Sequence, residues 1–300
     1  MHLDLALIMG SVVVGFLVGL TGMGGGALMT PMLVLIFGVA PSAAISSDLI
    51  AAFVMKPLGV AVHWRNKTIQ PRLVRYLCYG SVPAAIAGTY VMHLVGDGAA
   101  SQRRLQVILG CALLVGAAAM IARALVPSRH VLDAPDAPVA IRRPLIIGVG
   151  VVGGFMVGLT SVGAGSLIIV LLLLIYPHIR SDQLVGTDLA QSVPLTAAAT
   201  LGTLLFGHVH LALTASIIVG SVPAVAVGSL LSARSFTRSL RPYLGAVALL
   251  SGLKYVGVPA AALGVAAVVA LAVATLVAVR GARAIAPEGT PVMADALREG

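Results

Sequence analysis

Charge is scarce in this chain. Only 10% of its 300 residues are Asp, Glu, Lys or Arg, and ten of them are acidic. Soluble domains carry about 25% charged residues, which cover their surface. This chain cannot assemble such a shell. Aromatics make up 4%, with a single Trp, so no basic patch is interleaved with stacking rings and nucleic acid is not an expected partner. The two cysteines, Cys78 and Cys111, lie in apolar runs. That excludes a disulfide framework and a thiolate metal cluster. There is no Walker loop, no HExxH and no Ser/His/Asp arrangement, so neither an ATP motor nor a membrane hydrolase is expected, and no cofactor or metal.

What is present is apolar length. Hydrophobic residues are 59% of the chain, which rules out disorder and leaves an all-α, polytopic helical membrane protein. The start, Met1-His2-Leu3-Asp4, lacks the basic region of a cleavable signal, so the first apolar run reads as a membrane segment. Crossing ~30 Å of hydrocarbon takes about 20 residues. Apolar runs fall at 3–20, 27–39, 43–62, 73–95 and 104–125, then at 144–159, 166–176, 183–206, 211–231, 240–256 and 258–280.

The chain repeats itself. Residues 15–28, GFLVGLTGMGGGAL, match residues 154–167, GFMVGLTSVGAGSL, at nine of fourteen positions. Ser47-Asp48-Leu49 aligns with Thr187-Asp188-Leu189, and the GSVPA run at Gly80 recurs at Gly220. Arg103-x-Leu105-x-x-x-Leu109-Gly110 returns as Arg238-x-Leu240-x-x-x-Leu244-Gly245. Gly, Thr, Asp and Pro in register mark a duplication. The organisation is repeat 1 at 1–125, a cytoplasmic linker at 126–143, repeat 2 at 144–256, an extra transmembrane helix at 257–280 and a cytoplasmic tail at 281–300.

The runs 27–39 and 166–176 are too short to span. Each follows a Gly-rich break, so each reads as one arm of a Gly-tipped, broken-helix hairpin. If each hairpin returns to its starting side, the halves are inverted. Loop 63–72, the linker, the turn near 180, loop 232–241 and the C-terminus then share one face, which collects 15 of the 19 Lys and Arg. The positive-inside rule makes that face cytoplasmic and the N-terminus extracytoplasmic. Inverted repeats with broken helices are the pattern of secondary transporters, with a site at the repeat interface.

The candidate substrate-binding residues lie at the two tips: Thr21, Gly22, Gly24, Gly25 and Gly26 in the first, Thr160, Ser161, Gly163 and Gly165 in the second. Glycine lets backbone approach a ligand, and a helix start offers free amides to a small anion. Close helix packing is the competing use of the same glycines. Lys56 is a candidate counter-charge, with snorkelling as the alternative. Gln191 suits either a substrate oxygen or a neighbouring helix. Asp48 and Asp188, equivalent in the repeat, are candidates for proton coupling; their alternatives are N-capping or a bond to the tip opposite. His63, His208 and His210 sit at segment ends, Trp64 and Tyr76 fit an aromatic belt, and Pro83 and Pro223 fall inside equivalent helices.

These motifs resemble the TauE/SafE family of sulfite exporters and organosulfonate permeases. The resemblance rests on the doubled G-x-x-x-G-L-x-G-x-G-G-G pattern at Gly15–Gly26 and Gly154–Gly165, with Ser161 and Ala164 replacing glycines in the second copy. It also rests on Ser47-Asp48-Leu49 and Thr187-Asp188-Leu189. It implies transport of a small sulfur-containing anion, sulfite or a sulfonate, across a prokaryotic inner membrane. An anion channel or passive pore, or a non-transporting membrane scaffold, is the alternative function.

Overall fold

The computed structural model describes residues 4–21, 25–65, 67–96, 98–125, 142–163, 165, 167–176, 179, 181–207, 209–231 and 236–283. Gly22, Gly24, His208, residues 126–141 of the linker and the tail from 284 lie outside them. All regular structure among the described residues is helical. In the first half come α1 (Leu5–Thr21), a 3-10 turn (Gly25–Ala27), α2 (Met29–Leu35), α3 (Pro41–Arg65), α4 (Pro71–Val95) and α5 (Ala99–Leu125). The second half repeats this order with α6 (Arg143–Thr160), α7 (Leu167–Ile175), α8 (Ser181–Phe206), α9 (Leu211–Leu231) and α10 (Phe236–Val256), and α11 (Ala260–Arg283) follows.

Local chemistry explains most of the boundaries. Proline opens α3 and occupies the first positions of α4 and α6, where its missing N–H costs nothing. Gly96, at φ 81°, ends α4. Among the described residues, six helices are long and apolar enough to cross a membrane: those in Pro41–Ala61, Ala99–Ala122, Arg143–Thr160, Gln183–Phe206, Leu211–Leu231 and Ala260–Val279. The protein is a multi-pass membrane protein. The first short arm is shorter than the apolar run at 27–39 suggests, because helix ends at Leu35 and the chain turns at Gly38, φ 65°.

The halves are interlocked. α1 packs along α9, and α4 along α6, so the first helix of each half lies on the other half. Glycine makes this possible. A methyl group on Gly15 would come 2.7 Å from the Ser221 backbone, and one on Gly154 would come 2.5 Å from Ser81 Cα. Small residues at such faces let backbones meet and gain dispersion contacts where lipid removes any hydrophobic drive. Gly15 faces Ser221 and Gly19 faces Val225, so α1 and α9 run the same way. Gly150 faces Leu77 and Gly158 faces Ala85, which makes α4 and α6 parallel too. α5 and α10 differ. Gly110 meets Gly252 and Tyr255 while Gly245 meets Met120, so this pair is antiparallel.

The buried side chains accordingly form three cores. One joins α4, α6, α7 and α8, with Ile45, Leu49 and Leu105 added. The second joins α1, α2, α3 and α9, with Leu244 added. The third lies between α5 and α10 and reaches Val162 of the second tip. α11 packs on α10 and leaves Val265, Val268 and Leu271 exposed, as a lipid-facing helix does.

Candidate functional site

The two Gly-rich breaks meet. Gly26 lies directly on the Ser161 carbonyl, with no room for a side chain between them. The second tip turns through three left-handed residues, Ser161 (φ 60°), Gly163 (φ 118°) and Gly165 (φ 95°). Two of these are glycines, which adopt that conformation freely. Ser161 is not, and it is held there by what its hydroxyl does.

Ser161 Oγ donates to Asp48 Oδ2 at 2.8 Å, across the contact between the halves. Thr30 Oγ1, on α2, donates to the same oxygen at 2.8 Å. Asp48 is fully buried, and its Oδ1 has no hydrogen-bond partner. Asp48 is the eighth residue of α3 and Asp188 the eighth of α8. Neither caps a helix start, so the capping alternative fails for both: each helix begins two turns earlier, at Pro41 and Ser181. For Asp48 the bond to the opposite tip is the one observed.

The two aspartates are equivalent in the repeat but not in their surroundings. Where Thr30 stands, the second half has Ile169 and Val170, which lack hydroxyls. Both Asp188 and Asp48 act on the charge of Lys56. Lys56 is partly buried on α3 and lines a cavity of about 60 Å³ with Gly25, Met55, Leu189 and Ser229. That volume exceeds the roughly 10–15 Å³ a single water requires. The cavity therefore brings a cation, first-tip backbone and α8 together.

Other expected groups fall differently. The Thr21 and Thr160 hydroxyls donate back to Leu17 and Met156 carbonyls, each at 2.7 Å. Thr160 Oγ1 also accepts the Val162 amide at 3.2 Å, which shapes the turn. Some amides at the short helices are in use as well: Leu28 N–H bonds to the Gly25 carbonyl at 3.0 Å, and Leu167 N–H to Gly163 at 3.3 Å. Gln191, buried on α8, donates to Ser81 Oγ on α4 at 2.7 Å, while its Oε1 has no partner. His210 is exposed at the start of α9.

Thr30, Ser81 and Tyr255 escaped the sequence reading. Thr30 lies one turn past the first tip and Ser81 sits in the repeated GSVPA run, so both carried a signal. Tyr255 is fully buried and its hydroxyl has no partner. Applying the offset that relates Gly110 to Gly245, its counterpart is Met120, so the pair breaks the repeat's symmetry.

Ser161 invites a direct test of stability. Ser161→Ala removes an O–H bond to a buried carboxylate, a loss of about 1.5–3 kcal/mol. Ser161→Gly removes the same bond but relieves the left-handed strain, about 1–2 kcal/mol. Thermal unfolding in detergent should rank the wild type first, Gly second and Ala last. Ala unfolding above Gly would contradict this account.

Comparison with known proteins shows a family. The family described as sulfite exporter TauE/SafE matches residues 7–255. A relative from Bacillus subtilis (strain 168), named probable membrane transporter protein YjnA, is 39% identical over 262 residues, covering 85% of this chain and 100% of that protein. No solved structure matches. The matched residues take in both glycine tips, both aspartates and the paired helices that hold them, and on that extent the chain belongs to the sulfite exporter TauE/SafE family.

Proposed function

We propose that this membrane transporter moves a small anion, sulfite or an organosulfonate, by alternating access between two inverted repeats. Asp48 and Asp188 would couple the movement to protons. The observation that carries the reading is the meeting of the two tips over a buried carboxylate, with Gly26 against Ser161 and Ser161 bonded to Asp48. A carrier needs one place that both gates reach, and here the backbone breaks reach the same residue. Lys56 beside Gly25 supplies the positive charge an anion requires. Thr21, Gly22, Gly24, Gly25, Gly26, Lys56, Thr160, Ser161, Gly163, Gly165 and Gln191 are the substrate-binding set on this reading.

Inversion is supported by α5 and α10. They are counterparts in the repeat, and they run antiparallel. The aspartates also lie toward opposite ends of the bundle. Ser47, beside Asp48, accepts from Thr214 near the start of α9 at 3.0 Å, and Thr187, beside Asp188, accepts the Gln70 amide just before α4 at 3.1 Å. Access to one carboxylate from each face would follow. With α1 locked onto α9 and α6 onto α4, each of these pairs would move as one unit in alternating access.

Purified protein in liposomes should take up radiolabelled sulfite or taurine, faster with an imposed pH gradient. Saturation with substrate separates a carrier from a pore, which would show unitary currents instead. Failure of every sulfur anion under every gradient would remove the substrate assignment. Cysteine labelling should find residues 67 and 241 on one face of the membrane, the cytoplasmic one. Labelling from opposite faces would remove the inverted arrangement.

A further inference from the structure

A second site lies away from the tips, at the end of the bundle where α3 finishes and α4 and α6 begin. A groove of about 500 Å³ runs there between α3, α4 and α8. Its lining is apolar, with Pro57, Val60, Val193 and Pro194 along its length, and it ends at Trp64 and Arg75. Trp64 is 70% exposed, as expected of an indole at a membrane boundary. From Trp64 to Pro57 the groove follows seven residues of helix, about 10 Å into the hydrocarbon at 1.5 Å per residue. Water does not wet such a surface, and no side chain of the described residues fills it.

Arg75, in the groove's lining, belongs to an independent feature beside it. The Arg75 guanidinium lies 5.4 Å from the centre of the Tyr76 ring, and that of Arg143, reaching from α6, lies 5.6 Å from the same ring. Tyr76 is held in turn by an edge contact to Tyr79. Cations settle on aromatic faces, and an anion close to both guanidinium groups offsets the repulsion between two like charges drawn to one ring. Among the described residues neither guanidinium has a carboxylate partner. Guanidinium groups match phosphate oxygens in shape and charge.

We propose that this is a binding site for an anionic phospholipid, with one acyl chain in the groove and its phosphate at Arg75 and Arg143. The site is separate from the transport reading and does not depend on it. It rests on two features, an apolar channel of limited depth and a cationic pair, Arg75 in its lining and Arg143 over the neighbouring Tyr76 ring, with no carboxylate partner among the described residues. A lipid seated there would lie against α3 and α8, the helices that bear Asp48 and Asp188, and would be displaced if they separated.

The test is native mass spectrometry on the full chain in detergent, with phosphatidylglycerol and phosphatidylcholine of equal chain length. Each basic residue near anionic lipid adds appreciable attraction, so phosphatidylglycerol should bind about tenfold more tightly or better. Both Arg75 and Arg143 are exposed, so Arg75→Gln with Arg143→Gln should fold normally. In that variant the two lipids should bind alike. Ala61→Trp, which fills the groove, should weaken both. Glycerol phosphate alone should not bind, which separates a lipid from a free phosphate. Equal binding of the two lipids to the unaltered chain, a preference that survives loss of both arginines, or glycerol phosphate binding as well as the lipid would each overturn the proposal.

Discussion

Gly154→Leu should strongly destabilise the assembled protein, while Gly148→Leu, on the same helix, should leave it unchanged. Gly154 faces α4 so closely that even a methyl group would lie 2.5 Å from Ser81 Cα, and the obstacle is backbone, which cannot rotate away. To fit a leucine, α6 must move off α4 along their whole shared face. That also parts Gly150 from Leu77 and Gly158 from Ala85. Overpacking a tight site costs roughly 1–3 kcal/mol, more when backbone has to shift. The expected loss is at the upper end, because α4 and α6 belong to different halves and nothing covalent and short holds them together. Gly148 is exposed, and a side chain there would meet nothing within 4 Å. Size-exclusion profiles and thermal unfolding in detergent would show the contrast. At roughly 2–4 °C per kcal/mol, a 3 kcal/mol loss lowers the midpoint by about 10 °C. Equal behaviour of the two variants would mean that the interlock contributes little.

That interlock is what a sequence could not display. The segments were readable because a bilayer imposes a length and an apolar content on each of them, and α9 runs over the same residues as the apolar run at 211–231. The duplication was readable because Gly, Asp and Pro recur in register. Pairing across the halves was not, since every apolar helix offers a small-residue stripe and periodicity does not say which stripe meets which. Asp48 and Asp188 shared one motif, and composition alone left capping open. Only the position of Pro41 and Ser181 as true helix starts removes that role. The two hydroxyls that converge on Asp48 come from residues scattered over α2 and the second tip. Ser161 stood out as a departure from the glycine pattern, but its left-handed backbone and its reach to Asp48 depend on the far half of the chain.

On the proposed function, Asp48→Asn should lower sulfite flux by about tenfold or more while the protein still folds. Asn has the shape of Asp, and its side-chain oxygen can still accept from Ser161 and Thr30, so the contact between the tips persists. What it loses is the charge and the ability to take up a proton. In the native protein both hydroxyl bonds converge on Oδ2, and Oδ1 lies buried without a partner. A proton arriving at Oδ1 therefore breaks no existing bond. It would also change the charge balance around Lys56, whose other carboxylate neighbour is Asp188. With Asp48 charged, the two aspartates outweigh one lysine; with it neutral, Lys56 and Asp188 balance. Intramembrane carboxylates are costly enough that such groups mark ion pathways rather than decoration. The variant should accordingly lose the acceleration by a pH gradient as well as the rate, with unfolding temperature within a few degrees of the native protein. Lys56→Met separates coupling from binding: it should raise the half-saturating sulfite concentration while the response to the gradient remains. If Asp48→Asn carried sulfite at the native rate with the same response to pH, proton coupling at Asp48 would be lost and its bonds to Ser161 and Thr30 would be left as a latch holding the tips together.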